Sequence, residues 1–190
     1  MTVNASPLAG NQRQQLTRQR IIDAATSLFI RRGVAAVSVE DILLEVDLSR
    51  GTFYKYFSSK EDVLKAIIIP VFENLINRFS LLGSAHESII FEEVLHSYFQ
   101  QWQTNSGALV LAFNIGPANF SLVHTHHDRY VELLNNLIGR MHGLNLLRLD
   151  EPAFSSILIA RCVVPVLQSL QKSRNLESDF IATMQGMLLR

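Results

Sequence analysis

The sequence has little of what marks secreted, membrane-inserted or disulfide-stabilised proteins. Cys162 is the single cysteine in 190 residues, so no intrachain disulfide can form, which fits a reducing compartment. The first residues lack a basic start followed by an apolar core, unlike a secretory signal. Charged and polar residues interrupt the longest apolar stretches, so we expect no bilayer-spanning segment. These absences predict a cytoplasmic protein without a membrane partner.

Motifs that accompany common catalytic and nucleotide-binding sites are missing as well. There is no nucleophile elbow, no phosphate-cradling glycine loop and no HExxH motif. The acidic pairs Glu92-Glu93 and Asp150-Glu151 are adjacent in sequence, so their members do not face each other across a cleft. We therefore predict that the protein is not an enzyme and has no catalytic residues, no cofactor and no metal site.

Three histidines support an alternative interpretation, a small helical metal-binding protein or enzyme that uses His124, His126 and His127. At helical spacing His124 and His127 share a face, and His126 points elsewhere. A metal site needs three or four converging ligands, and Asp128 is the one acidic neighbour placed to join them. We favour a polar helix surface that contacts a ligand or a partner subunit.

The net charge of the chain is zero, which at first argues against a nucleic-acid partner. The charges are unevenly distributed, however. Residues 1–60 carry eight Lys/Arg against five Asp/Glu, whereas residues 61–190 carry nine against twelve. Because a local basic face is enough to bind a phosphate backbone, the N-terminal third remains a candidate for DNA binding.

The most informative segment runs from Ser38 to Lys60. Ser38, with Asp41 three residues later, caps one short helix, and Ser49 caps a second that ends near Phe57. The second helix carries polar groups that suit phosphate oxygens and base edges in a major groove: Ser49, Arg50, Thr52, Tyr54, Lys55 and Tyr56. A basic helix that leads into a helix-turn-helix is typical of DNA-binding proteins.

This region, roughly the first third of the chain, resembles the N-terminal domain of the TetR family of transcriptional regulators. The matching positions are Ile22, Ala24, Ala25, Leu28, Phe29, Gly33, Ser38, Ile42, Leu48, Ser49, Gly51, Tyr54, Tyr56, Phe57 and Lys60. The chain departs from the family at Leu43 and Val46, where small residues are usual, and at Asp47, where glycine is usual. Aspartate tolerates a left-handed turn better than most residues, so Asp47 weakens the match little.

The predicted DNA-binding residues are Arg18, Ser38, Ser49, Arg50, Gly51, Thr52, Tyr54, Lys55, Tyr56 and Lys60. Within this set, the residues that the resemblance places on backbone phosphates are Ser38, Tyr54, Tyr56 and Lys60. The base-edge candidates are then Arg50, Thr52 and Lys55. Gly51 allows a close approach to DNA, whereas Phe53 and Phe57 are expected in the core.

Apolar residues recur at helical spacing in nearly every segment, and no convincing strand is present. We expect an all-α fold of about nine helices. It would comprise a disordered arm over residues 1–14, a three-helix DNA-binding domain over 15–60, and a ligand-binding and dimerisation domain over 61–190. Beyond the first third, the chain matches the family in length and helical character.

Assembly is predicted from the helix that begins at Pro152, which is apolar almost all round between Ile157 and Leu170. Such a helix must be buried on all sides, and a second copy of the chain is the economical cover. The resemblance implies a homodimer through the last two helices. The predicted interface residues are Ile159, Val163, Val166, Leu170, Phe180, Met184 and Met187.

The middle of the chain is rich in aromatic residues, most of which we expect in an ordinary core. The resemblance implies a cavity for a small apolar or aromatic effector. Its candidate lining residues are Phe91, Tyr98, Phe99, Trp102, Phe113, Phe120 and His124. The sequence thus predicts a dimeric transcriptional regulator, a repressor that its effector releases from a palindromic operator.

Overall fold

The computed structural model describes residues 7–190, with side chains from Asn11 onward. Over this range the protein is all-α, as predicted, with a single isolated β-bridge between Leu147 and Leu189. Its nine α-helices are α1 (Pro7–Arg32), α2 (Val39–Val46), α3 (Arg50–Phe53), α4 (Lys60–Leu81), α5 (Glu87–Phe113), α6 (Pro117–Phe120), α7 (His124–His142), α8 (Pro152–Leu170) and α9 (Leu176–Leu188).

The chain divides into two compact units, Met1–Ile67 and Ile68–Arg190. The boundary falls inside α4, about two turns after the predicted division at residue 60. Helix α1 begins at Pro7, so residues 7–14 of the predicted disordered arm are helical, and residues 1–6 lie outside the described part of the chain. Proline suits a first helical turn, because its missing N–H would have no partner there.

In the first unit, α1 packs against α2 around buried Ile21, Ala25 and Phe29. Helix α2 begins at the predicted capping box. The Ser38 hydroxyl accepts from the Asp41 backbone N–H at 3.1 Å, and the Asp41 carboxylate accepts from the Ser38 N–H at 2.8 Å. Hydrogen bonds from Ser38 and then Arg32 hold the pKa of the Asp41 carboxyl well below its usual range.

The turn after α2 is formed by Asp47 in the left-handed region, with φ 51° and ψ 56°. The Asp47 N–H and the Leu48 N–H both donate to the Leu43 carbonyl. Leu43 and Val46, the two departures from small residues, are buried in the first unit. Larger side chains at these positions therefore fill the core beneath the turn.

In the second unit, α5 packs against α7, α8 and α9. Helix α5 is interrupted at Asn105, whose φ of −159° and ψ of 83° are not helical. The Asn105 carboxamide oxygen accepts from the Ala108 N–H at 2.9 Å and caps the second segment of α5. Helices α6 and α7 are separated by a short turn, and α4 continues through Pro70.

Two arginine side chains fix connecting segments of this unit. The Arg140 guanidinium donates to the Leu82, Gly83 and Ala85 carbonyls and to Glu87, the first residue of α5. These hydrogen bonds lower the pKa of the Glu87 carboxyl. Arg190 donates to the Leu147 carbonyl at 2.6 Å and to Asp150, which ties the C-terminus to the segment before α8.

Two helical stretches, Lys60–Ser84 and Pro152–Leu170, are long and apolar enough to cross a membrane when only length and composition are considered. The expectation of no such segment is corrected, because a long helix can hold one or two charges and still be apolar on average. Core helices pass the same test, and α8 packs against α5, α7 and α9.

Replacing Asp47 by glycine tests the energetics of the turn. We expect Asp47→Gly to raise the free energy of unfolding by about 0.5–1 kcal/mol, because glycine reaches positive φ without a Cβ clash. Removing a carboxylate from a helix C-terminus acts in the same direction. Urea unfolding followed by circular dichroism measures the change. Asp47→Asn, which removes only the charge, is the control, and a destabilised glycine variant would show that the positive φ at this position does not favour glycine.

Candidate nucleic-acid interface and ligand cavity

The short helix α3 starts at Ser49, whose hydroxyl accepts from the Thr52 N–H at 3.2 Å. It ends at Phe53, four residues earlier than predicted, and turns continue the chain to Tyr56. Phe53 and Phe57 are buried, as predicted, with ring centroids 6.0 Å apart. Their burial leaves the polar residues between them at the surface.

The structure places most of the predicted DNA-contact residues on this one surface. The exposed members are Ser49, Arg50, Gly51, Tyr54 and Lys55, and the half-buried members are Thr52 and Tyr56. Arg18 on α1 is also exposed, with its guanidinium carbon 5.1 Å from the centroid of the Phe57 ring. A cation over an aromatic face is held by the charge distribution of the ring, so Phe57 positions Arg18 as well as α3.

Arg50 is not free at this surface, since its guanidinium pairs with the Glu40 carboxylate on α2. Both side chains are more than half exposed, at 68% and 53%. An exposed pair of this kind contributes little to stability. Its main effect is to hold the Arg50 side chain beside Glu40.

Two predicted phosphate ligands are already engaged within the first unit. The Ser38 hydroxyl donates to the Asp41 carboxylate at 2.7 Å as part of the cap. The Lys60 ammonium donates to the Val34 carbonyl at 3.0 Å and the Val37 carbonyl at 2.7 Å. Lys60 thus connects the start of α4 to the segment before α2. Sequence reasoning missed this contact, because 23 to 26 residues separate the partners.

A cavity of about 810 Å³ lies in the second unit, bordered by residues of α4 to α8. Its aromatic lining is Phe72, Phe113, Phe120, His127 and Tyr130. These rings contact one another: the Phe120 and His127 centroids are 4.8 Å apart and the Phe113 and Tyr130 centroids are 5.7 Å apart. Such a lining suits a largely apolar small molecule.

The predicted cavity residues are only partly brought together. Phe113 and Phe120 line the cavity, whereas Phe91 and Phe99 are buried in the core and do not. Phe99 and Trp102 border a different, shallower cavity of about 840 Å³ beside α9. The prediction is corrected there, because the aromatic face of α5 is shared among three neighbouring helices.

His124 does not line the cavity either; its ring nitrogen contacts the Ser121 carbonyl at 3.1 Å. His127, which is three residues further along the same helical face, lines the cavity in the place predicted for His124. Sequence reasoning also missed other lining residues, among them Phe72, Tyr130, Leu134, Asn135 and Arg161. Helical spacing from His124 was the one signal that could have found His127.

Tyr98 lies behind the cavity wall and meets Tyr130 through a hydrogen bond of 2.5 Å between the two hydroxyls. Both side chains are buried, and burial raises the pKa of both phenols well above the usual range. Both therefore stay protonated at physiological pH. Their single shared bond uses one of two hydroxyl protons, and Tyr130 borders the cavity.

The histidine cluster does not converge on a metal site. His126 faces Glu73 at 3.8 Å, and His127 contacts Asp128 at 3.5 Å. Within residues 11–190, no group of three or more His, Cys, Asp or Glu side chains is arranged to hold a metal ion. The alternative interpretation of a metal-binding protein or enzyme is therefore not favoured.

Four of the predicted dimer residues are corrected, because Ile159, Val163, Phe180 and Met184 are fully buried inside one chain. Val166 and Leu170 are half-buried, and Met187 is exposed. The exposed apolar residues of α8 are instead Phe154, Ile157 and Leu158. Sequence periodicity could not distinguish the buried face of α8 from its exposed face, because both faces carry apolar residues.

Comparison with known proteins agrees with this description. The model for bacterial regulatory proteins of the tetR family matches residues 21–67. The regulator YuxN of Bacillus subtilis, described as uncharacterized and of HTH type, is 24% identical over 131 residues, or 63% of this chain and 45% of YuxN. SrpR of Pseudomonas putida, an HTH-type regulator, is 40% identical over 52 residues, or 27% of this chain and 24% of SrpR. Each match spans less than half of the relative's length.

Solved structures show the same fold along most of the chain. PfmR, a TetR family transcriptional regulator from Thermus thermophilus, has a TM-score of 0.70 at 20% identity, with 89% of this chain and 97% of that chain covered. The probable transcriptional regulatory protein RHA5900 has a TM-score of 0.74 at 15% identity, with coverages of 90% and 96%. A SmeT–triclosan complex has a TM-score of 0.59 at 18% identity, covering 92% of each chain.

The helix-turn-helix of the first unit matches that of bacterial regulatory proteins of the tetR family. Along most of the chain, including the all-helical second unit, the fold is similar to that of a solved TetR family transcriptional regulator.

Substitution of Lys60 tests its role within the first unit. We expect Lys60→Met to lower the free energy of unfolding by about 1–3 kcal/mol, because two carbonyls lose a charged donor. Lys55→Met, at an exposed lysine on the same surface, should change it by less than about 0.5 kcal/mol. Chemical denaturation of both variants measures the difference. Equal stabilities would mean that the Lys60 contacts add nothing.

Proposed function

We propose that the protein is a cytoplasmic, homodimeric transcriptional repressor that binds a palindromic operator and is released from it by a small, mainly apolar effector. The observation that carries this proposal is the surface of α3. There, exposed polar and basic residues stand directly above two buried phenylalanines. A helix whose apolar side is fixed in the core and whose exposed side is polar is suited to enter a major groove.

The exposed groups at this surface divide by chemistry. The hydroxyls of Tyr54 and Tyr56 suit phosphate oxygens, which fix the orientation of the protein on DNA. Arg50, released from Glu40, can make two hydrogen bonds to the edge of a guanine, a contact worth about 1–3 kcal/mol of discrimination between bases. Lys55 is exposed beside them and adds positive charge. Gly51, exposed and without a side chain, leaves room for close approach.

The partner subunit would cover the apolar residues that α8 and α9 expose away from the cavity, namely Phe154, Leu158 and Met187. A twofold dimer uses the same patch on both copies, and burying these side chains supplies the hydrophobic driving force. Two α3 helices related by such an axis would meet half-sites whose centres lie about 34–36 Å apart, or a multiple of that spacing.

The effector would bind in the cavity of the second unit. SmeT, whose structure contains triclosan, shares the fold and is one solved case of a ligand complex. Helix α4 belongs to both units and is unbroken from Lys60 to Leu81, with Phe72 at the cavity wall and Lys60 at the start. A ligand that favours one arrangement of α4 would change the affinity for the operator. The effector would weaken operator binding by the same factor by which the operator weakens effector binding.

Single-residue changes on α3 test the DNA contact. An operator is first selected from random duplexes by the wild-type protein. We expect Tyr54→Phe to weaken binding to all sequences by about fivefold, because one phosphate hydrogen bond is lost. Arg50→Ala should instead reduce the preference for one base pair in each half-site, by about tenfold. Fluorescence anisotropy measures both effects.

The control is Ser80→Ala, which removes an exposed hydroxyl from the second unit. It should leave DNA affinity unchanged. If no sequence is enriched by the wild-type protein, or if both α3 variants bind like wild type, α3 is not the DNA-contact helix.

Charged substitutions on α8 test assembly. We expect Phe154→Glu to raise the dimer dissociation constant by about 100-fold or more, because a carboxylate would be buried without a partner. Operator binding should be lost together with the dimer. Leu81→Glu, at a leucine that is 80% exposed, is the matched control and should remain dimeric. Sedimentation velocity at micromolar concentration measures both; a monomeric wild-type protein would refute this interface.

A further inference from the structure

Among residues 11–190, the lining of the cavity bordered by α4 to α8 contains one charged side chain, Arg161 on α8, and no aspartate or glutamate. Within the part of the chain whose side chains are described, Arg161 makes no ion pair or hydrogen bond with another residue, and it is exposed. A guanidinium at the edge of an apolar cavity is a donor for an anion.

The neutral polar groups nearby are mostly used inside the protein. The Asn114 amide donates to the Val110 carbonyl at 2.9 Å, and the Ser156 hydroxyl donates to the Pro152 carbonyl at 3.2 Å. Asn135 and His127 also border the cavity and offer a ligand neutral polar groups. Arg161 is therefore the strongest available donor for an incoming ligand.

Helix α8 also leaves space beside Arg161. The cavity-facing residues Ala153, Ser156 and Ala160 follow at steps of three and four, so small side chains form one helical face. The aromatic rings of Phe72, Phe113 and Phe120 come from the other bordering elements. One part of the lining thus accepts an apolar body, and another offers a positive charge.

We propose that the effector is an organic monoacid, an aromatic or aliphatic carboxylic acid whose carboxylate pairs with Arg161 while its apolar body contacts the aromatic lining. This inference rests on the proposed function of the cavity as the effector site and names the ligand class. A cationic ligand is disfavoured, because Arg161 would repel it and no carboxylate of the lining would neutralise its charge. A dianion such as a phosphate ester would bring a second charge that the lining does not match.

The size of the cavity agrees with this class. A volume of about 810 Å³ lies within the usual range for small-molecule sites, about 300–1,000 Å³. A one-ring or two-ring acid fits such a space. The expectation of a small, mainly apolar or aromatic effector is thereby refined: the body is apolar and one end is acidic.

Matched pairs of probes test the proposal on the intact 190-residue chain without DNA. The acids are phenylacetic, 4-phenylbutanoic and 2-naphthylacetic acid, each compared with its own primary amide at pH 7.5 by isothermal titration calorimetry. We expect the wild-type protein to bind at least one acid about tenfold or more tightly than its amide, because a charge-assisted contact replaces a neutral one. Added salt should reduce this preference.

Two arginine variants identify the source of the preference. Arg161→Gln should bind acid and amide equally, with the amide affinity unchanged. Arg174→Gln, at an exposed arginine of the shallower cavity, should keep the wild-type preference. Phe120→Ala should weaken acid and amide alike. Circular dichroism and sedimentation confirm that the variants remain folded and in the wild-type oligomeric state.

The outcomes of these titrations are distinct. Equal binding of acids and amides, no binding of any acid, or a preference that survives in Arg161→Gln would overturn the assignment. An Arg161-dependent acid preference supports it. The same acid is then titrated into the protein–operator complex: unchanged DNA affinity would contradict the proposed regulation while leaving the ligand class in place.

Discussion

The burial of Phe53 and Phe57 is the interaction on which the α3 surface, our proposed DNA contact, depends. Helix α3 has four residues, and a helix that short does not persist in water on its own. Its position is therefore set by the two buried rings and by the Ser49 cap. Because the rings point inward, the intervening polar residues must point outward, and Arg18 is placed above Phe57 by the same packing.

Much of the first unit could be predicted from sequence because its signals are local. The Ser38–Asp41 box, the left-handed Asp47 and the Ser49 cap each involve residues within a few positions of one another. The contacts of Lys60 and Arg50 could not be predicted in the same way. Their partners lie 10 to 26 residues away, so pairing depends on how the helices pack.

The second unit was predicted less completely, for a physical reason. Helix α8 is apolar on more than one face, so periodicity shows that Ile159 and Ile157 both prefer burial without showing which neighbour buries them. The structure places Ile159 in the core of one chain and leaves Ile157 exposed. The cavity likewise collects side chains from five helices, and its single charge, Arg161, stands in a segment whose composition is otherwise apolar.

The pairing of Arg50 with Glu40 has a consequence for the thermodynamics of DNA recognition. An unpaired lysine or arginine that reaches DNA displaces a condensed cation, and this release produces the salt dependence of binding. Arg50 already has an anionic neighbour, which is left with its own need for a cation once Arg50 moves to the base edge. Moving Arg50 to a base edge would leave the Glu40 carboxylate unpaired near the DNA phosphates, so Arg50 would contribute to sequence discrimination while adding less to operator affinity than an unpaired arginine would.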